Sequence, residues 1–152
     1  MNKIQLIKLT KNYSKAILDN NKGNVLDFFI PFKNIHEVEI WVNENIKKAE
    51  SGEKQEYVIK DEISNEFLGM IAIDNLKSEN AEVRLWIKPE SQQKGNAKKA
   101  LLELISLYPN KKLFYSADKV NIGSNKLAIS CGFKFVREFE DEGEILNEYT
   151  LF

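Results

Sequence analysis

The spacing of apolar residues predicts one long helix in the N-terminal third of the chain. After Asn34, apolar side chains recur every three or four residues as far as Glu50, and these are Ile35, Val38, Trp41, Val42, Ile46 and Ala49. Asn34 is a residue type that caps helix starts, and Ser51-Gly52 is a typical helix end. Ahead of this helix, the pattern predicts a short strand over Lys3–Leu9 and a helix over Asn12–Asn20.

The rest of the chain predicts hairpins first and then strands that alternate with helices. Tyr57-Val58-Ile59 and Phe67–Asp74 form a predicted hairpin across the turn Asp61–Asn65. The later predicted elements are a strand at Glu82–Ile87, a helix at Lys94–Leu107, a strand at Lys112–Ala117, a helix at Ser124–Cys131, and a terminal hairpin of Phe133–Phe139 and Leu146–Leu151. This order indicates a mixed α/β sheet within a single domain over residues 1–152.

A small-residue turn joins the Glu82–Ile87 strand to the following helix. It reads Gln92-x-x-Gly95-x-Ala97 and directly precedes the amphipathic segment Lys98–Leu107. Such a turn presents unpaired backbone N–H groups and the positive end of the helix dipole, which together suit a phosphate anion. The alternative is that Gly95 simply begins a helix, and the turn alone does not decide between the two.

A second motif lies downstream and reads Asn-x-x-Ser-x-x-Leu-Ala-x-x-x-Gly-Phe, from Asn121 to Phe133. Asn121 can cap a helix there, and Gly132 can end it in a left-handed conformation. These structural roles do not explain why the two motifs occur in one chain.

With both motifs, the chain resembles the GNAT N-acetyltransferase family, and within it the RimJ/RimL type that acetylates ribosomal-protein N-termini. The resemblance covers about Glu66 to Phe152, with a looser match before it. It implies a GNAT-type α/β fold: a mixed, mostly antiparallel central sheet, helices on both faces, and a splayed V at the cofactor site. It also implies acetyl transfer from acetyl-CoA, as co-substrate, to an amine acceptor.

The resemblance assigns a cofactor-binding set on the strand, the turn and the second motif. Its members are Leu85, Trp86, Ile87, Gln93, Lys94, Gly95, Asn96, Ala97, Lys98 and Asn121. The strand residues would line the pantetheine arm, and the turn would surround the pyrophosphate. Asn121 would bond the arm from the opposite side, although a plain helix cap is an equally sound role for it.

The resemblance also suggests a base and an acid for the transfer. Glu82 is the candidate base, acting through water, with a surface carboxylate as the alternative. Ser124 is the candidate acid for the departing thiolate. Other branches carry a tyrosine where this chain has Ala128, which makes Ser124 more plausible and leaves Tyr115 in reserve. Cys131 is not needed as a nucleophile, because direct transfer forms no covalent enzyme intermediate.

Composition narrows the classes of partner. The formal charge is −1, with 22 basic and 23 acidic residues, so no strong field favours nucleic acid. No apolar run approaches the roughly 20 residues that cross a bilayer. One cysteine and one histidine, Cys131 and His36, leave no disulfide and no multi-histidine metal site, so we expect no metal and a cytoplasmic protein.

The acceptor is the least determined feature of the sequence. A protein N-terminus, a polyamine and a small-molecule amine all fit, and the aromatic residues Phe28, Phe29, Phe32 and Trp41 either wall its channel or pack in the core. A rival prediction keeps the fold but makes it a non-catalytic CoA-binding sensor or interaction module. Oligomeric state stays open, with a homodimer among the alternatives.

Overall fold

The structure is a computed structural model that describes residues 3–27 and 29–152. Within them, the chain forms seven strands: β1 (Ile4–Lys8), β2 (Gln55–Asp61), β3 (Phe67–Asp74), β4 (Asn80–Ile87), β5 (Lys112–Asp118), β6 (Lys134–Asp141) and β7 (Glu144–Leu151). The α-helices are α1 (Ser14–Asp19), α2 (Ile35–Glu50), α3 (Asn96–Leu107) and α4 (Ile122–Ser130). Short 3-10 helices occupy Lys11–Tyr13, Gly23–Asp27 and Pro89–Ser91.

The strands form one sheet in the order β1-β2-β3-β4-β5-β7-β6. Every neighbouring pair is antiparallel except β4 and β5, which run parallel. The β4–β5 pairing ends at Val83 and Tyr115, whereas β4 continues to Ile87 and β5 to Asp118. The two strands therefore separate over their second halves, which confirms the predicted splayed V in a mostly antiparallel sheet.

Helices cover both faces of the sheet, as predicted. On one face α3 and α4 pack Leu101, Leu104 and Ala128 against strand residues such as Val83 and Tyr115. On the other face α1 and α2 pack a second cluster, which contains Ile17, Val38, Val42, Met70 and Trp86. Because side chains alternate along a strand, neighbouring residues of β4 face different clusters. The two clusters thus define two different environments at the V.

Local sequence signals predicted most element boundaries. Asn34 caps α2 by accepting a hydrogen bond from the Glu37 backbone N–H at 3.0 Å, and Gly132 ends the α4 region in the left-handed conformation at φ 92°. The predicted helix start at Lys94 is two residues early, because Gly95 is left-handed at φ 82° and α3 begins at Asn96. Ile35 also differs from its predicted face, since it is exposed.

Gly69 brings β3 unusually close to β4 at the mouth of the V. A Cβ atom built on Gly69 would lie 2.1 Å from the Trp86 carbonyl oxygen and 2.9 Å from the Ile87 Cα. Both are backbone atoms of the strand that borders the V, so they cannot rotate away. Only glycine permits this approach.

Candidate active site

The turn after β4 is held in place by the Gln92 side chain. Its amide nitrogen donates to the Ile87 carbonyl at 2.8 Å and to Asn24 Oδ1 at 2.9 Å, and its amide oxygen accepts from Asn24 Nδ2 at 2.9 Å. The first residue of the Gln92-x-x-Gly95-x-Ala97 motif therefore acts as a brace between β4, the turn and the Gly23–Asp27 segment. Its donors are used within the protein, so phosphate binding falls to the residues that follow it.

Those residues form a seat of main-chain N–H groups at the start of α3. Gln93 and Gly95 are both left-handed, at φ 59° and 82°, which turns successive N–H groups toward one side. Lys99 is the first residue of α3 whose N–H donates back, to the Gly95 carbonyl at 3.2 Å, so the N–H groups of Asn96, Ala97 and Lys98 precede the intrahelical ladder. A Cβ on Gly95 would meet nothing within 4 Å, so the space above the turn is open.

Asn96 adds a polar side chain beneath this seat. It is 2 % exposed, and its Nδ2 donates to the Ser91 carbonyl at 3.0 Å. Its Oδ1 is buried without a hydrogen-bond partner among the described residues. That oxygen can accept from an enclosed water.

The main chain of β4 offers hydrogen-bonding groups to the V. The Ile87 carbonyl faces away from β3, where Gln92 reaches it. Because main-chain groups alternate sides along a strand, those of Leu85 face the same way. The β4–β5 pairing has already ended there, so Leu85 lies where a ligand arm could bond in place of a strand.

The side chains of the three predicted strand residues do not share one face. Leu85 and Ile87 pack with the α3 cluster, whereas the Trp86 indole lies in the α1–α2 cluster and stacks on Phe29 with ring centroids 5.2 Å apart. Its main-chain groups alternate with those of Leu85 and Ile87 and therefore face β3, so Trp86 offers neither its indole nor its main-chain hydrogen bonds to the V. The sequence did not distinguish these environments.

Asn121, Ser124 and Tyr115 meet on the opposite side of the V. Asn121 Oδ1 accepts from the Ser124 backbone N–H at 3.1 Å, so the cap role of Asn121 is present. The Ser124 hydroxyl lies 2.8 Å from the Tyr115 hydroxyl. Burial raises the pKa of Tyr115 and the hydrogen bond to Ser124 opposes that rise, so Tyr115 stays protonated at neutral pH. The pair can pass a proton toward the V.

Glu82 lies on the other face of β4, beside a group of paired charges. Burial raises the pKa of the Glu82 carboxyl above its ordinary value, Asp74 adds to the rise, and Arg84 opposes it. Burial also works to raise the pKa of Asp74, but Arg84 and Lys54 hold it below its ordinary value. Glu82 thus takes up a proton more readily than Asp74 does.

The paired charges were missed by the sequence analysis. Arg84 donates to Asp74 through two bonds of 2.6 and 3.1 Å and to the buried Glu56 at 3.1 Å. The Lys54 ammonium lies 3.4 Å from the Glu56 carboxylate and 3.3 Å from the Asp74 carboxylate. Arg84, Asp74 and Glu56 come from three strands, and Lys54 directly precedes β2. The sequence of one strand does not indicate which charged residues of other strands it will meet.

Glu82 opens into a cavity of about 970 Å³ between β4 and the α1–α2 side. Its lining combines an aromatic and aliphatic wall with charged residues: Leu26, Asp27, Phe29, Ile30, Trp41, Glu44, Asn45, Lys48, Glu53, Lys54, Asp74, Asn75, Glu82 and Arg84. Five carboxylates face three cations there. Arg84 and Lys54 form ion pairs with Asp74 and Glu56. The remaining charged residues of the lining are four carboxylates and one lysine, so this part of the lining is predominantly anionic.

The aromatic residues of this region line the cavity and also pack against one another. Phe29 contacts Phe32 and Trp41 edge-on at 5.8 and 5.4 Å, and Phe29 and Trp41 line the cavity. Phe28, the fourth predicted member, lies outside the described residues. His36 is exposed near the start of α2, and Cys131 is buried, which raises the pKa of its thiol.

No helix of residues 3–27 and 29–152 is long and apolar enough to cross a membrane. Over the same residues, no three histidine, cysteine or acidic side chains are grouped so that they could hold a metal ion.

The sequence matches the family model described as Acetyltransferase (GNAT) domain over residues 4–134. Curated protein sequences include no significant match to the chain.

Solved structures match the fold over nearly the whole chain. A RimL ribosomal L7/L12 alpha-N-protein acetyltransferase in complex with coenzyme A has a TM-score of 0.87 at 18% identity, covering 97% of this chain and 93% of that one. The microcin C7 self-immunity acetyltransferase MccE, in complex with acetyl-CoA and AMP, has a TM-score of 0.86 at 20% identity, with coverages of 99% and 93%. A Vibrio cholerae spermidine N-acetyltransferase with CoA and spermine scores 0.81 at 17% identity, with coverages of 97% and 94%. At these identities the likeness concerns the fold.

Proposed function

The chain belongs to the GNAT acetyltransferase family, and from that premise we propose that it moves an acetyl group from acetyl-CoA to a primary amine by direct transfer in a ternary complex. The observation that carries this proposal is the V between β4 and β5. A phosphate seat lies at one end of the V, a carboxylate with a raised pKa opens on one face, and a hydroxyl pair lies on the other.

The two faces suit the two proton transfers of the reaction. An alkyl amine is mostly protonated at neutral pH and must lose that proton before it attacks the thioester carbon. Glu82 faces the cavity on the α1–α2 side, where it can take the proton directly or through one water. The C–N bond then forms as the C–S bond breaks, and the nitrogen loses its second proton. The departing thiolate takes up one proton on the α4 side, and the proton released by the nitrogen restores the donor. We propose Ser124 as that donor, supported by its 2.8 Å contact with the hydroxyl of the protonated Tyr115.

The rest of the cofactor is assigned to the residues of the turn and strand. We propose that the N–H groups of Gln93, Lys94 and Gly95, with those of residues 96–98, hold the pyrophosphate. The main chain of Leu85 bonds the pantetheine arm in the gap that β5 leaves. The bond from the Ser124 backbone N–H to Asn121 Oδ1 fixes the start of α4, and the Ser124 hydroxyl is held by Tyr115.

The acceptor binds in the cavity beside Glu82. The structurally similar enzymes carry names that point to different amines: ribosomal L7/L12, spermidine and microcin C7. For this chain we propose an amine with positive charge near its reactive nitrogen, because the carboxylates that Arg84 and Lys54 leave unpaired attract cations. Phe29 and Trp41 supply apolar contact for the carbon chain that bears the amine. The reaction is proposed to take place in the cytoplasm.

Turnover with an amine panel tests the proposal. The protein is incubated with acetyl-CoA and, in turn, a peptide with a free N-terminus, spermidine and an aminoglycoside, while released thiol is measured. We expect release above the no-acceptor rate with at least one amine, and its loss in Glu82→Gln. Absence of turnover with every amine, together with tight CoA binding, would favour the non-catalytic sensor. Absence of CoA binding would overturn both.

A further inference from the structure

The segment that follows α1 touches the cofactor turn and the acceptor cavity at once. Its 3-10 helix, Gly23–Asp27, is anchored by Val25, which is fully buried in the α1–α2 cluster. Asn24 points outward from that anchor to the turn after β4, whereas Leu26 and Asp27 line the cavity beside Glu82. Few residues therefore separate the two binding regions along the chain.

Three contacts join this segment to the turn after β4. Asn24 and Gln92 exchange two hydrogen bonds of 2.9 Å each, across 68 residues of sequence. Beside them, Lys22 forms an ion pair with Glu90 at 3.0 Å, and a Cβ on Gly23 would lie 3.3 Å from a Pro89 ring carbon. The ion pair is more than half exposed on both sides and contributes little. The reciprocal amide pair is the specific contact.

Gln92 passes this contact on to the cofactor seat. The same amide nitrogen that meets Asn24 also holds the Ile87 carbonyl at 2.8 Å. The next residue, Gln93, is left-handed and begins the row of N–H groups proposed for the pyrophosphate. Loss of Asn24 leaves Gln92 with one fixed partner rather than two, so the turn loses part of its orientation before the ligand arrives.

We propose that Asn24 is a positioning residue that couples the cofactor turn to the acceptor wall. It acts through Gln92: the Asn24–Gln92 pair makes the turn and the Gly23–Asp27 segment order together. Cofactor binding then stiffens the wall made by Leu26 and Asp27, and acceptor binding reciprocally favours the cofactor. The inference rests on the proposed function, because it assigns CoA to the turn.

The first test is a double-mutant cycle on CoA affinity, measured by calorimetry with CoA itself as the probe. We expect Asn24→Ala to weaken binding about three- to tenfold, the range that two exposed hydrogen bonds allow. In a Gln92→Ala background, the same change should alter the affinity less than about twofold, because the partner is gone. Equal effects of Asn24→Ala in both backgrounds would overturn the proposed pair.

The second test reads the coupling directly through amide hydrogen exchange of peptides that cover residues 20–33. In the wild type, saturating CoA should slow exchange in this segment several-fold. In Asn24→Ala, CoA at a concentration that restores saturation should leave the segment's exchange nearly unchanged. A purely structural role for Asn24 would loosen the segment with and without CoA but keep the CoA-induced slowing, and that result would refute the coupling.

A matched control and the turnover assay separate the remaining outcomes. Asn43→Ala removes an exposed asparagine of α2 that makes no contact with the turn, and it should keep both the affinity and the exchange response. With any amine that supports turnover, Asn24→Ala should raise KM for acetyl-CoA more than it lowers kcat. If the wild type binds no CoA, the proposed function fails. If it binds CoA but Asn24→Ala matches wild type in both tests, only this inference fails.

Discussion

Replacing Gly69 by alanine tests how tightly the strand that borders the V is constrained. The new Cβ would start 2.1 Å from the Trp86 carbonyl oxygen, so β3 and β4 must separate locally by roughly 1 Å to reach ordinary contact. Overpacking of this kind costs about 1–3 kcal/mol of unfolding free energy. The adjacent bond from the Lys88 N–H to the Leu68 carbonyl, at 2.8 Å, would weaken as well. Its loss costs about 1 kcal/mol.

The expected change in stability follows from these opposing effects. Alanine also restricts the unfolded chain, which returns about 0.4–1 kcal/mol. The net loss is roughly 1–3.5 kcal/mol, which for a domain of this size lowers Tm by roughly 2–14 °C. CoA affinity should fall too, because the displaced segment carries the Ile87 carbonyl and hence Gln92.

The assay measures calorimetric melting and CoA titration of Gly69→Ala and of one control variant. Gly123→Ala is the control, since a Cβ there would lie in ordinary contact with Asn121 Oδ1, at 3.8 Å. Gly123 lies in α4, where alanine is favoured, so its Tm should stay the same or rise. A Gly69→Ala protein that melts with the wild type and binds CoA equally well would show that the close approach does not constrain β4.

Four further predictions concern the chemistry of the site. Glu82→Gln should lower kcat/KM about 10²- to 10⁴-fold with little change in CoA affinity. The substitution should not lower Tm, because the pKa of Glu82 is raised in the folded state and its ionised form therefore disfavours folding at neutral pH. Wild-type kcat/KM should fall as the pH drops through the raised pKa of Glu82, with a midpoint above 4.5, and a midpoint at or below that value would contradict the assignment. Ser124→Ala should lower kcat more than Tyr115→Phe, and the reverse order would make Tyr115 the direct donor. Gly95→Asp should reduce CoA affinity at least tenfold in a calorimetric titration. Gly52→Asp is the control, because Gly52 is also left-handed, at φ 77°, with open space around it. Both variants should lose a comparable amount of stability, but only Gly52→Asp should keep the wild-type affinity for CoA.

The two faces of β4 are supported in different ways. The Arg84–Asp74–Glu56–Lys54 group supports Glu82 from one side, and the α3 cluster supports Leu85 and Ile87 from the other. β4 is thus held by charge pairs on its α1–α2 face and by apolar packing on its α3 face, and Glu82 stays exposed on the first of these.

The sequence by itself determined the elements and motifs whose causes are local. The cap at Asn34, the Phe67–Asp74 strand, the left-handed Gly132 and the turn around Gly95 each depend on residues within a few positions of one another, so their patterns are legible in the chain. The resemblance carried by the two motifs also anticipated the family that the domain model matches.

Tertiary structure decided everything that depends on which distant residues meet. Asn24 is an unremarkable loop asparagine until the fold brings it to Gln92, 68 residues away. Trp86 belongs to the cofactor strand by sequence, but strand alternation turns its indole to the acceptor side. The pKa of Glu82 likewise depends on burial and on Asp74, which lies on the neighbouring strand. Contacts of this kind arise from packing across the sheet, and no spacing within one segment encodes them.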